Sequence, residues 1–126
     1  MVDRRASWGL VALLAASSAL ATPADVISVQ AKCRGAVCSF AVTVQHADEG
    51  WQHYANAWQV LTPDGRVLAT RILRHPHVRE QPFTRSLRGV KVPAGVSRVR
   101  IRARDSVSGY GGREVMVSLA PKQPSR

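Results

Sequence analysis

The chain has 126 residues, with 18 Lys plus Arg against 8 Asp plus Glu, four histidines and two cysteines. That length excludes more than one ordinary domain, and the formal charge of +10 favours anionic partners such as envelope polymers, acidic head groups or nucleic acid. No apolar run reaches the about 20 residues of a membrane-spanning helix.

Residues 1–21 read as a signal peptide. Arg4 and Arg5 give a positive start, the stretch from Trp8 to Leu20 is apolar or small throughout, and Ala19-Leu20-Ala21 offers small residues at a cleavage point. The expectation is an exported protein, periplasmic or secreted, cleaved near Ala21. Its domain spans residues 22–120, and residues 121–126 form a disordered C-terminal tail. No lipid-anchor cysteine stands at the cleavage point, since the first cysteine is Cys33. What remains is enough for one small core.

The rest of the chain shows short alternating runs and turn signals, with no sustained helical period. Ile27, Val29, Ala31 and Cys33 fall on one face of a first strand, and Cys38, Phe40, Val42 and Val44 on one face of a second. Between them Cys33 and Cys38 bracket a turn-length loop, which in an exported protein predicts a structural disulfide. A metal or redox pair is the weaker reading of that spacing.

Trp58 and Val60 mark a third strand, joined by Pro63-Asp64-Gly65 to a fourth over Val67 to Leu73. Leu87, Val90 and Val92 suggest a fifth, with a bulge at Gly89; Val99, Ile101 and Ala103 a sixth; Val115, Val117 and Leu119 a seventh. The expected fold is all-β, an immunoglobulin-like or fibronectin-like β-sandwich of about seven antiparallel strands.

If every connection reverses the chain, alternate connections share an end of the domain. The short ones, at Arg34 to Val37, Pro63 to Gly65 and Pro93 to Gly95, share one end. The long ones, Ala47 to Ala55, Arg74 to Thr84 and Ser106 to Gly112, share the other. Long connections in a compact domain are usually functional or disordered, and these are rich in aromatics and histidines.

All four histidines, His46, His53, His75 and His77, fall at the long-loop end. In His75-Pro76-His77 an extended backbone puts both rings on one side. With Glu80 or Asp48 the imidazoles suit copper or zinc. The plainer reading is that these histidines hydrogen-bond the backbone while Pro76 and Pro82 stiffen a crossover, since no strict ligand spacing is present. Asp48, Trp51, Tyr54 and Tyr110 are candidate ligand contacts, or else caps on the open end of the core.

Arg98, Arg100, Arg102 and Arg104 alternate along the sixth strand as a candidate anion-binding ladder. The alternative is a solvated face or a protected edge. No RNA-binding aromatic motif accompanies it, and export argues against nucleic acid. The serines lack a nucleophile elbow, so the chain reads as a binding protein and not an enzyme; metal-assisted hydrolysis stays open because a histidine site can activate water.

The block His46-Ala47-Asp48-Glu49-Gly50-Trp51-Gln52-His53-Tyr54 running to Trp58, and His75 to Leu87 with Ala103 to Ser106 and Gly109 to Gly112, resemble a group of small exported bacterial proteins of uncharacterised function. That resemblance implies export and a shared site architecture, and carries no reaction with it. The expected function is transition-metal binding through the histidines. The alternative is a metal-free binding or accessory module for an anionic envelope polymer or a protein partner.

Overall fold

The computed structural model describes residues 22–119. The expected signal peptide and C-terminal tail lie outside the described residues, apart from Thr22 at the expected mature start. The described residues contain strands and no helix: β1 (Asp25–Arg34), β2 (Val37–Gln45), β3 (Ala55–Leu61), β4 (Val67–Ile72), β5 (Phe83–Lys91), β6 (Arg98–Asp105), β7 (Gly109–Tyr110) and β8 (Val115–Ser118).

They form two antiparallel sheets, β1-β2-β5 and β4-β3-β6-β7, with β8 also pairing with β6. This is the two-sheet all-β architecture the alternation predicts. Period-two patterning turns Cys38, Phe40, Val42 and Val44 of β2 inward against Trp58 and Val60 of β3 and Val99, Ile101 and Ala103 of β6. Trp58 is fully buried, and Phe83 anchors the start of β5 in the same core.

Two details differ from the sequence reading. In β1 the register shifts between Val26 and Ser28, so Ile27 is an extra residue and Val26 takes the core place opposite Val44. A strand pattern read by strict alternation misses such a shift by one residue. The sixth connection is also not purely a loop, because β7 within it pairs Tyr110 with Arg104 and Gly109 with Asp105. Too short to show a period, β7 raises the seven expected strands to eight.

The bulge expected at Gly89 is present: Cys38 faces Val90 and Phe40 faces Leu87, leaving two β5 residues opposite Ser39. Gly89 takes a positive φ of 71°, a conformation that costs glycine little. At the short-loop end the β1–β2 ladder sets Cys33 directly opposite Cys38, and the two form a disulfide.

At the other end the N-terminal segment laces across the loop before β8. Val26 N–H donates to the Arg113 carbonyl at 2.9 Å, and Arg113 N–H donates to Asp25 Oδ1 at 2.8 Å. Gly112 lies under this crossing, where an added Cβ would collide with the Ala24 carbonyl oxygen.

Candidate functional site

The alternation that buries Val42 and Val44 continues to His46, and the one that buries Ile101 and Ala103 continues to Asp105. Both side chains therefore enter the long-loop end of the core from opposite sheets. There His46 meets His53 edge to face, ring centroids 4.6 Å apart. One ligand atom each of His46, His53 and Asp105 lies within 4.8 Å of the others, and all three residues are buried.

Every ring nitrogen of this pair faces an oxygen that accepts. His46 Nδ1 lies 2.7 Å from Asp48 Oδ1, and its Nε2 lies 2.8 Å from the Thr22 carbonyl. His53 Nδ1 lies 3.2 Å from Glu49 Oε1, and its Nε2 lies 2.8 Å from Asp105 Oδ2. Donating both His53 bonds requires hydrogen on both of its ring nitrogens. For His53, burial pulls the pKa down but the hydrogen bonds and charges of Glu49 and Asp105 outweigh it, so the ring holds its proton above the usual value of 6.5.

The carboxylates also organise backbone. Asp48 accepts the N–H of Ala55 at 3.0 Å and of His77 at 2.8 Å. Asp105 accepts the N–H groups of Val107 and Ser108 and the Ser108 hydroxyl. Burial works to raise the Asp105 pKa, but these donors and His53 hold it below the usual value of 3.8.

The other two histidines sit in a different field. His75 and His77 have ring centroids 5.2 Å apart, as an extended backbone predicts, but they do not join the His46, His53 and Asp105 group. His77 stacks on Phe83 at 4.0 Å, and its Nε2 accepts from Arg85 Nη2 at 2.8 Å. Burial, then the Arg85 guanidinium, push its pKa below 6.5. Glu80 is an exposed carboxylate 3.4 Å from the same Arg85 Nη2. Guanidinium groups repel a metal cation, so the histidines divide by surroundings: His46 and His53 face carboxylates, while His77 meets Arg85 and shares a cavity wall with His75, Arg71 and Arg74.

Trp51 is 66% exposed and meets the half-buried Tyr54 edge to face at 5.6 Å. Tyr110 instead lies on the outer face of its sheet, with the Arg102 guanidinium 4.0 Å and Arg104 5.6 Å from its ring centroid. Burial raises its pKa against the pull of both arginines. The ladder is thus engaged within its own sheet. Arg102 donates twice to Gln59 Oε1, Arg100 reaches Glu114 at 3.5 Å, and Arg98 is exposed.

Sequence reasoning gave no site role to Gln81, Thr22 or Asp105. Inward alternation along β6 was the signal for Asp105. Gln81 gave none: its Oε1 accepts the His46 N–H at 3.0 Å and its Nε2 donates to the His77 carbonyl at 2.9 Å, joining two distant loops.

A concavity of about 780 Å³ lies at the opposite end, around the disulfide and Pro93 to Ser97. Of the side chains lining it only Lys32 is charged, whereas buried titratable groups converge at the long-loop end, which makes that end the candidate site.

What the fold and site define is an all-β domain of two packed sheets with a buried histidine–carboxylate cluster at one end. The chain is similar to a protein of Halomicrobium mukohataei described as "Putative lipoprotein", 40% identical over 95 residues, which cover 75% of this chain and 46% of that protein. The chain spans about half the length of the curated relative it matches. No family model and no solved structure matches.

Proposed function

We propose that this is an exported protein, acting in the periplasm or after secretion, that binds a transition metal such as copper or zinc through His46, His53 and Asp105. The observation that carries the reading is the convergence of one ligand atom from each residue within 4.8 Å, in a buried setting. The name of the similar protein supports export.

A carboxylate already holds Nδ1 of each ring, Asp48 for His46 and Glu49 for His53. Such partners fix ring orientation and raise ligand basicity in metal sites. The opposite nitrogens, with Asp105, would be the ligands. Metal would replace ring hydrogens, so uptake releases protons and weakens on acidification. We read the role as binding, with metal-assisted hydrolysis the enzymatic alternative; the Ser108 hydroxyl donates to Asp105 and the Ser106 hydroxyl oxygen accepts the Tyr54 N–H, so neither is paired with a histidine as a nucleophile.

The test is copper and zinc titration of tag-free, chelator-stripped protein by calorimetry, with His53→Gln, Asp105→Asn and His75→Gln variants. One-to-one binding lost in the first two and kept in the third is expected. Binding no tighter than that of an exposed histidine, or lost equally in His75→Gln, overturns the reading. The alternative, an anionic-polymer or protein-binding module using Arg98 to Arg104 and the exposed Trp51, would show salt-sensitive retention indifferent to chelator.

A further inference from the structure

The edge strand of each sheet, β4 in one and β5 in the other, borders a seam that ends in a cavity of about 170 Å³. Its lining is Arg71, Leu73, Arg74, His75, His77 and Arg85. Three guanidiniums and two imidazoles thus converge with no carboxylate in the wall. Two acids lie close by: Glu80, exposed and 3.4 Å from Arg85, and the buried Asp48, which accepts the His77 backbone N–H from outside the wall. Gathering like charge is unfavourable unless something of opposite sign answers it.

Hydrogen-bond accounting points the same way. A guanidinium only donates, so the Arg85 contact makes His77 Nε2 an acceptor and leaves the ring hydrogen on Nδ1. That Nδ1–H is buried without a partner, on a residue only 7% exposed, and Arg71 Nε is likewise buried and unpartnered. Trp58 Nε1, Arg100 Nε and Arg104 Nε are also buried without hydrogen-bond acceptors, but at the seam two such donors belong to residues lining one cavity, and each forfeits its bond to water.

We infer that the β4–β5 seam binds a compact oxyanion of the phosphate type, held by Arg71, Arg74, Arg85 and the Nδ1–H of His77. Such a ligand supplies the missing negative charge and acceptors for both orphan donors, and guanidinium forks match its oxygens. The cavity exceeds the about 30 Å³ share of one water several times over, which leaves room for such a group. Exposed Arg74 and His75 stand at the way in. The inference is independent of the metal reading, because it uses different residues and the opposite charge.

The experiment titrates inorganic phosphate into tag-free, chelator-treated protein by calorimetry, while long-range nitrogen–proton spectra follow the imidazoles. Saturable one-to-one binding is expected, with a shift of the His77 Nδ1–H signal. Arg71→Gln and Arg74→Gln should each weaken binding on the order of tenfold or more. Arg88→Gln/Lys91→Gln, which removes exposed charge elsewhere, should leave it unchanged. Arg74 is exposed, so its variant keeps the fold.

Vesicles of phosphatidylglycerol, compared with phosphatidylcholine, separate a free ion from a head group. Binding to the first alone, lost in Arg71→Gln, supports the site and assigns the phosphate to lipid. No saturable binding of either probe, or equal loss in the Arg88/Lys91 variant, overturns the inference.

Discussion

Asp48 Oδ2 accepts the backbone N–H of His77 at 2.8 Å, while Oδ1 of the same carboxylate takes His46 Nδ1 and Ala55 N–H. One buried side chain thereby fastens His46 of the metal-candidate cluster to the loop that carries the arginine-lined cavity. Asp48→Asn keeps the shape but turns one acceptor into a donor facing N–H groups. Unfolding in urea should show a loss of roughly 3 kcal/mol. A loss below about 0.5 kcal/mol, the range of ordinary surface substitutions, would mean that the carboxylate is not the fastening.

Histidine titration in the metal-free protein should separate the rings. His53 is expected to titrate above 6.5 and His77 below it. The raised pKa of His53 contributes stability that is full below 6.5 and lost as pH rises through its folded value. The depressed pKa of His77 contributes stability full above 6.5 and lost as pH falls through its folded value, and Asp105 adds a similar loss further below, under 3.8. Stability therefore declines on both sides of a near-neutral optimum; NMR titration that finds His77 titrating above His53 would refute the assignment.

Gly112 admits no side chain beneath the N-terminal crossing. Gly112→Ala should cost roughly 1 to 3 kcal/mol by forcing apart the Ala24 and Arg113 segments. Exchange of the Val26 amide, which donates to Arg113, should quicken with it. An unchanged midpoint and unchanged exchange would count against the close crossing.

The disulfide should matter to stability and not to the site. It closes a loop with a sequence separation of 5, so Cys33→Ser/Cys38→Ser should lower stability by about 2 kcal/mol or less. Metal and phosphate titrations of the folded variant should match those of the parent. A changed affinity in either would show that the two ends are coupled.

Strand positions and core faces were legible because alternation survives wherever a strand has one buried side, as in β2 and β6. It failed at Val26 and Ile27, where one inserted residue exchanges faces, and at Gly109 and Tyr110, too short to carry a period. The gathering of the long loops followed from chain reversal alone. Division of the histidines did not, because it depends on cross-loop neighbours: Asp105 lies 52 residues from His53, while Arg85 reaches His77 through the path of β5. Gln81 was unreadable for the same reason, since its bonds run to His46, 35 residues away, and back to His77.

The disulfide at one end and the buried histidine–carboxylate contacts at the other make a domain with two unlike clasps. A reductant undoes the first and leaves the second; acid or alkali loosens the second and leaves the first. Environments that differ in redox state and in acidity would thus relax opposite ends of one molecule, so the two conditions work as separate controls on which end opens.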